Sequence, residues 1–153
     1  MSEPVAGLPE RGLRLVRGRA VGYFHRRWDI HQSGLEHVPA SGPVIVASNH
    51  IGWLDGPLLF ATSPRPLHAL VKEEEFVGRT GRLLRVLGQI KVARKRTDAG
   101  ALRQALRALG AAQGVLIYPE GRRGDGEFTR FKRGVAYLAL VSGAPVVPVV
   151  IFG

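Results

Sequence analysis

Val44-Ile45-Val46-Ala47-Ser48-Asn49-His50-Ile51-Gly52-Trp53-Leu54-Asp55 joins a short apolar run to a turn and then to a carboxylate. A continuous run rich in β-branched residues, with no alternation, reads as a strand buried on both faces of a parallel sheet. The residues after it, Leu54–Thr62, read as a short helix. A second stretch has the same form: Val115-Leu116-Ile117 leads into Tyr118-Pro119-Glu120-Gly121-Arg122-Arg123. Two strands that each end in a polar loop are the usual bearers of chemistry in an open α/β sheet.

The rest of the chain continues the alternation. Leu67–Val71 reads as strand, Glu73–Leu87 as a helix interrupted at Gly78 and Gly81, and Gln89–Ala93 as strand. Asp98 is a good N-cap for a helix that buries Leu102, Ala105, Leu106 and Leu109 and turns Arg103 and Arg107 outward. Val115–Tyr118 is strand, Lys132–Ser142 is helix stopped by Gly143, and Val146–Phe152 is a last apolar run. The pattern predicts a single α/β domain with a mostly parallel sheet flanked by helices, over residues 29–153. Residues 1–28 form a separate basic amphipathic segment, with Arg11, Arg14, Arg17, Arg19, Arg26 and Arg27 among Leu13, Leu15, Val16, Val21, Tyr23, Phe24 and Trp28. Such a segment is either a membrane-surface anchor or a helix packed on the domain with solvated arginines. The chain stops at Gly153 straight after a strand, the pattern of a short or C-terminally truncated member of its class.

Composition narrows the partners. With 153 residues and 45% hydrophobic content the chain can bury a core. It has no cysteine, which removes disulfides, thiolate nucleophiles and cysteine-based zinc sites. It has neither an apolar run of membrane-spanning length nor a signal-peptide pattern, so the expected location is cytosolic or peripheral on the cytoplasmic face of a membrane. The formal charge is +10 and the pI near 11.2. That favours anionic partners such as nucleic acid, anionic headgroups, acidic carrier proteins or phosphorylated metabolites, although a coding bias towards arginine produces the same excess.

Several residues could carry chemistry. A neutral imidazole accepts a proton near pH 7, and a carboxylate on its other nitrogen fixes the tautomer. His50 and Asp55 have that chemistry, although Asp55 also suits a helix N-terminus on its own account. Glu120 either pairs with Arg122 and Arg123 or joins a site, and Gly121 allows a sharp turn. Lys132 and Arg133 open a helix against the preference of its dipole, as they would if an anion were to be met. Arg94 ends a strand and heads a cluster with Lys95 and Arg96, a suitable phosphate cradle. His25, His31, His37 and His68 show no metal-ligand spacing, so no metal is expected. Trp28 and Trp53 read as core or interface rings.

Strand-Asn49-His50-x4-Asp55, then Gly88 to Arg94, then Tyr118-Pro119-Glu120-Gly121, then Ala144-Pro145-Val146-Val147-Pro148-Val149 resembles, in order and spacing, the glycerolipid acyltransferases of the 1-acylglycerol-3-phosphate acyltransferase (PlsC-like) type. The lead-in Gly34-Leu35-Glu36-His37-Val38-Pro39 is similar too, so the likeness covers Gly34 to the C-terminus. The resemblance implies an acyl-coenzyme A or acyl-carrier-protein thioester as co-substrate, no further cofactor, and a lysophospholipid acceptor, 1-acylglycerol-3-phosphate, at an anionic membrane surface. It implies that His50 deprotonates the acceptor hydroxyl, that Asp55 orients His50, and that Arg94 binds the acceptor phosphate. Glu120 and Gly121, with Arg122 and Lys132, would shape the acceptor site. The family usually follows Glu-Gly with Thr, Arg and Ser; this chain has Arg122, Arg123 and Gly124, a departure that bears on the acceptor's identity. Two other classes compete. A basic nucleic-acid-binding domain explains the charge but no recognisable recognition module is present, and nucleic acid is not expected as a partner. A catalytically silent membrane-associated relative would share every motif.

Overall fold

The computed structural model describes residues 6–93, 98–121 and 133–152. In chain order the elements are α1 (Arg11–Arg27), β1 (Val44–Ser48), α2 (Asp55–Thr62), β2 (Leu67–Lys72), α3 (Gly78–Val86), β3 (Ile90–Val92), α4 (Ala99–Gly110), β4 (Gly114–Ile117), α5 (Gly134–Ser142) and β5 (Val146–Val149). All pairings are parallel and the strand order is β3-β2-β4-β1-β5. This is the expected α/β architecture.

The central strands β1 and β4 pair Ile45 with Val115 and Val46 with Leu116. Because side chains alternate across a strand, the two faces collect different residues. Ile45, Val115 and Ile117 join Ala105 and Leu109 of α4 and Leu138 of α5 on one face. Val44, Val46 and Leu116 join Leu59 of α2 and Leu67 on the other. Here lies the feature that makes a site. The chain leaves β1 for α2 on one face and leaves β4 for α5 on the opposite face, while β1 and β4 are neighbours. The carboxyl ends of β1 and β4 are therefore a switch point, the place at which open α/β sheets bind ligands.

Local chemistry accounts for most element boundaries. The Asp98 side chain accepts from Ala101 N at 3.0 Å, the expected N-cap of α4. Gly143 at φ 68° ends α5 in the left-handed conformation. The expected single helix over Glu73–Leu87 divides instead. Glu73–Glu75 makes one 3₁₀ turn and α3 begins at Gly78, which takes φ 54°. Gly81 interrupts nothing; it lies inside α3, where a Cβ would sit 2.2 Å from the Phe76 carbonyl carbon, so only glycine lets this turn pack. The N-terminal segment does form a helix despite its glycines. Gly12 brings α1 against Val86 of α3, with a notional Cβ 2.6 Å from Val86 Cγ1. Leu13 and Phe24 are buried, and the Gln113 side chain holds both Leu8 N and Leu8 O at 2.8 Å. The helix is therefore packed on the domain. Leu15, Tyr23 and the exposed Arg11, Arg19, Arg26 and Arg27 face outward.

Candidate active site

The loop after β1 folds back so that Asp55, the first residue of α2, meets His50. Asp55 Oδ2 lies 3.0 Å from His50 Nδ1 and accepts from Ile51 N at 2.7 Å and Gly52 N at 2.8 Å. An oxygen that already accepts backbone N–H groups is an acceptor towards the ring as well, so Nδ1 carries the proton and Nε2 the lone pair. Nε2 has no partner among the described residues, and the side chain keeps 13% exposure, a narrow opening to solvent. The pair sits almost wholly out of water, with Asp55 at 8% side-chain exposure.

The second loop closes on the first. Gly121 N donates to Tyr118 O at 2.9 Å, making a tight turn with Pro119 second and Gly121 fourth, at φ 67°. That turn aims the Glu120 carboxylate at the backbone of the first loop, where Oε1 accepts from His50 N at 3.3 Å. It also lays the Tyr118 ring on the His50 ring, with centroids 4.2 Å apart and planes at 22°. Burial pushes the Tyr118 phenol up, and the Asp55 charge adds to this, so the hydroxyl stays protonated.

The third strand end is tied in by Asn49. Its Nδ2 donates to Ile151 O at 2.9 Å and its Oδ1 accepts from Ile151 N at 2.8 Å, so the side chain pairs like a strand residue with the segment after β5. That segment forms one wall of an open groove of about 1120 Å³, which runs from Asp55 between α2 and the sheet. Trp28, Leu58, Val147 and Ile151 line it, and exposed Trp53 and Phe152 stand at its rim.

The geometry thus brings His50, Asp55, Glu120 and Gly121 together. Arg94, Arg122 and Lys132 lie outside the described residues. Trp53 is not a core ring, since 71% of it is exposed. His68 is buried in β2, with Nδ1 donating to Gly88 O at 2.8 Å. Two contributors were not legible as such in the sequence. Asn49 reads as a turn former, and its partner lies 102 positions away. Tyr118 reads as a strand end, and only the β1–β4 register places its ring on His50.

Comparison with known proteins gives a consistent result. A family model described as Acyltransferase matches residues 29–152. A 1-acyl-sn-glycerol-3-phosphate acyltransferase of Borreliella burgdorferi is 32% identical over 124 residues, covering 78% of this chain and 50% of that protein. The human 1-acyl-sn-glycerol-3-phosphate acyltransferase alpha is 34% identical over 122 residues, covering 76% of this chain and 43% of that one. The crystal structure of the 1-acyl-sn-glycerophosphate (LPA) acyltransferase PlsC from Thermotoga maritima superposes with a TM-score of 0.76 at 27% identity, over 92% of this chain and 59% of that one. The chain therefore spans about half the length of these relatives.

Proposed function

This chain belongs to the acyltransferase family, and we propose that it moves a fatty acyl group from a coenzyme A or acyl-carrier-protein thioester to the hydroxyl of a lysophospholipid, 1-acylglycerol-3-phosphate. The observation that carries the reading is the His50–Asp55 pair: Nδ1 is held by a carboxylate and Nε2 is left open at a strand-to-helix turn. In this reading Nε2 takes the proton of the acceptor hydroxyl as its oxygen attacks the thioester carbonyl. The C–O bond forms, the tetrahedral intermediate collapses, the C–S bond breaks, and the imidazolium returns its proton to the leaving thiolate. Asp55 orients the ring and stabilises the imidazolium. No acyl-enzyme forms.

The groove beside Asp55 takes the acyl chain, since its walls are mostly apolar and it reaches Asp55, the partner of the base. Arg94, Arg122 and Lys132 supply cations for the acceptor phosphate. Glu120 and Gly121 shape the acceptor side through the turn that reaches His50 N. The enzyme meets its lipid at an anionic membrane surface on the cytoplasmic side. No helix among the described residues is long and apolar enough to cross a membrane. The outward arginines of α1 give headgroup attraction, and Arg27 lies 5.5 Å over the ring of Trp28 at the groove.

The test is mass spectrometry of lipids formed from a panel of lyso-acceptors and thioesters of both kinds. The reading predicts phosphatidate from 1-acylglycerol-3-phosphate with one or other of the two thioester classes, and little product from acceptors without a phosphate monoester. Equal turnover of neutral acceptors would remove the phosphate from the account.

A further inference from the structure

We propose that Tyr118 is a positioning residue for the base: its ring face stabilises the imidazolium that His50 becomes during proton transfer. The inference rests on His50 being the base, and it adds a group on the ring's face to the carboxylate at its edge.

The stacking geometry is specific. The two rings lie 4.2 Å apart and nearly parallel, at 22°. An aromatic face is electron-rich and attracts a cation placed over it within about 6 Å of the centroid. Neutral imidazole gains little from that field, whereas imidazolium gains much more, so the contact strengthens as the proton arrives. The far end of the ring faces the first turn of α2, where a Cβ built on Gly56 would sit 3.8 Å from the Tyr118 hydroxyl, so the bare glycine there leaves the ring its place. The turn after β4 that carries Tyr118 also holds His50 N through Glu120. The second loop therefore fixes the base's backbone and its ring together, while Asp55 fixes Nδ1.

The hydroxyl itself is buried and has no hydrogen-bond partner among the described residues. A buried hydroxyl without a partner contributes nothing favourable to folding, so the useful part of Tyr118 is the ring. Among the described residues the charged and titratable groups that face His50 are Asp55 from α2 and Glu120 and Tyr118 from the loop after β4; the segment after β5 presents Val150, Ile151 and Phe152.

The experiment follows the His50 ring by NMR across pH in the full chain, with the resonance assigned by its absence in His50→Ala. Three replacements are compared: Tyr118→Phe, Tyr118→pentafluorophenylalanine and Tyr118→Leu. Phenylalanine keeps the electron-rich face, and pentafluorophenylalanine keeps the shape but reverses the charge of the face. The pentafluoro chain should protonate His50 at a pH about 0.5 to 1 unit lower than the Phe chain, the size expected for losing a partly desolvated cation–π contact. The Leu chain should move in the same direction. The acid limb of the kcat/KM profile should move with the NMR midpoint. Coincident midpoints in the Phe and pentafluoro chains overturn the proposal, and that pair decides the matter even if the Leu chain does not fold. A midpoint that separates the two chains while the rate profile stays fixed supports the stack and instead refutes His50 as the base.

Discussion

Asp55→Asn and Asp55→Ala separate the two jobs that one oxygen performs. Asp55 Oδ2 holds two backbone N–H groups of the first loop and also holds the base. An asparagine oxygen can keep all these contacts but brings no charge. At 3.0 Å the attraction between the carboxylate and an imidazolium is about 5 kcal/mol at an effective dielectric of about 20. The amide dipole recovers part of this, which leaves a loss of about 3 to 5 kcal/mol that is felt only when His50 is charged. That corresponds to a fall in kcat of about 10² to 10⁴. The stability of Asp55→Asn should stay close to that of the parent. Asp55→Ala also strips the acceptor from Ile51 N and Gly52 N. Both sit at a part-buried turn that water can reach, so the cost should be about 1 kcal/mol each, near the low end for an unmade hydrogen bond. The assay pairs thiol release from the thioester with a thermal melt. The expected pattern is Asn losing rate alone and Ala losing rate and melting temperature together. If Asp55→Asn keeps more than a tenth of the turnover, or melts as low as Asp55→Ala, the division of roles is wrong.

Three further outcomes follow from other parts of the molecule. Arg94→Ala should raise the acceptor KM and leave the thioester KM little changed, and Arg94→Lys should recover only part because a point charge does not replace a bidentate fork; equal weakening of both substrates would make Arg94 structural. His68 is buried and its imidazole is pushed below its ordinary value mainly by that burial, against the Gly88 hydrogen bond, so the unfolded chain takes up a proton first as pH falls. Stability should be full above about pH 6.5 and decline below it by up to about 1.4 kcal/mol per pH unit, and His68→Asn, which keeps a donor for Gly88 O, should flatten that decline in melts between pH 7 and 5. For α1, Arg19→Glu combined with Arg26→Glu and Arg27→Glu should weaken binding to anionic vesicles without lowering the melting temperature, because these side chains are exposed; unchanged vesicle binding would assign α1 a packing role alone.

The strands were legible because a strand buried on both faces needs an uninterrupted apolar run, as in Val44–Ala47 and Val115–Ile117. The α4 cap and the α5 stop were legible because Asp98 and Gly143 satisfy orphan backbone groups locally. The break at Gly78 was half legible: glycine marks a place where the chain can turn, but Gly78 turns it and Gly81 lets it pack, and only the neighbour, Phe76, distinguishes the two. For Trp53, read as a core or interface ring, size alone could not choose, and its place in the loop before α2 leaves it exposed at the groove's rim. The strand order was not legible, since β1 pairs with strands about 70 and 100 residues further on and no local pattern encodes which strands become neighbours. What depends on that order was hidden with it: the Asn49–Ile151 clamp, the Glu120 contact and the Tyr118 stack. The His50–Asp55 pair escaped this limit because its two halves are five residues apart on one loop.

The central claim is that His50 Nε2 takes the proton of the acceptor hydroxyl, and the direct measurement is the rate of phosphatidate formation by the parent chain and by His50→Ala, read by lipid mass spectrometry with the melt recorded alongside. The account predicts acylated product from the parent and a fall of about 10² or more in His50→Ala, with the fold retained. A folded His50→Ala chain that forms phosphatidate at close to the parent rate would contradict it.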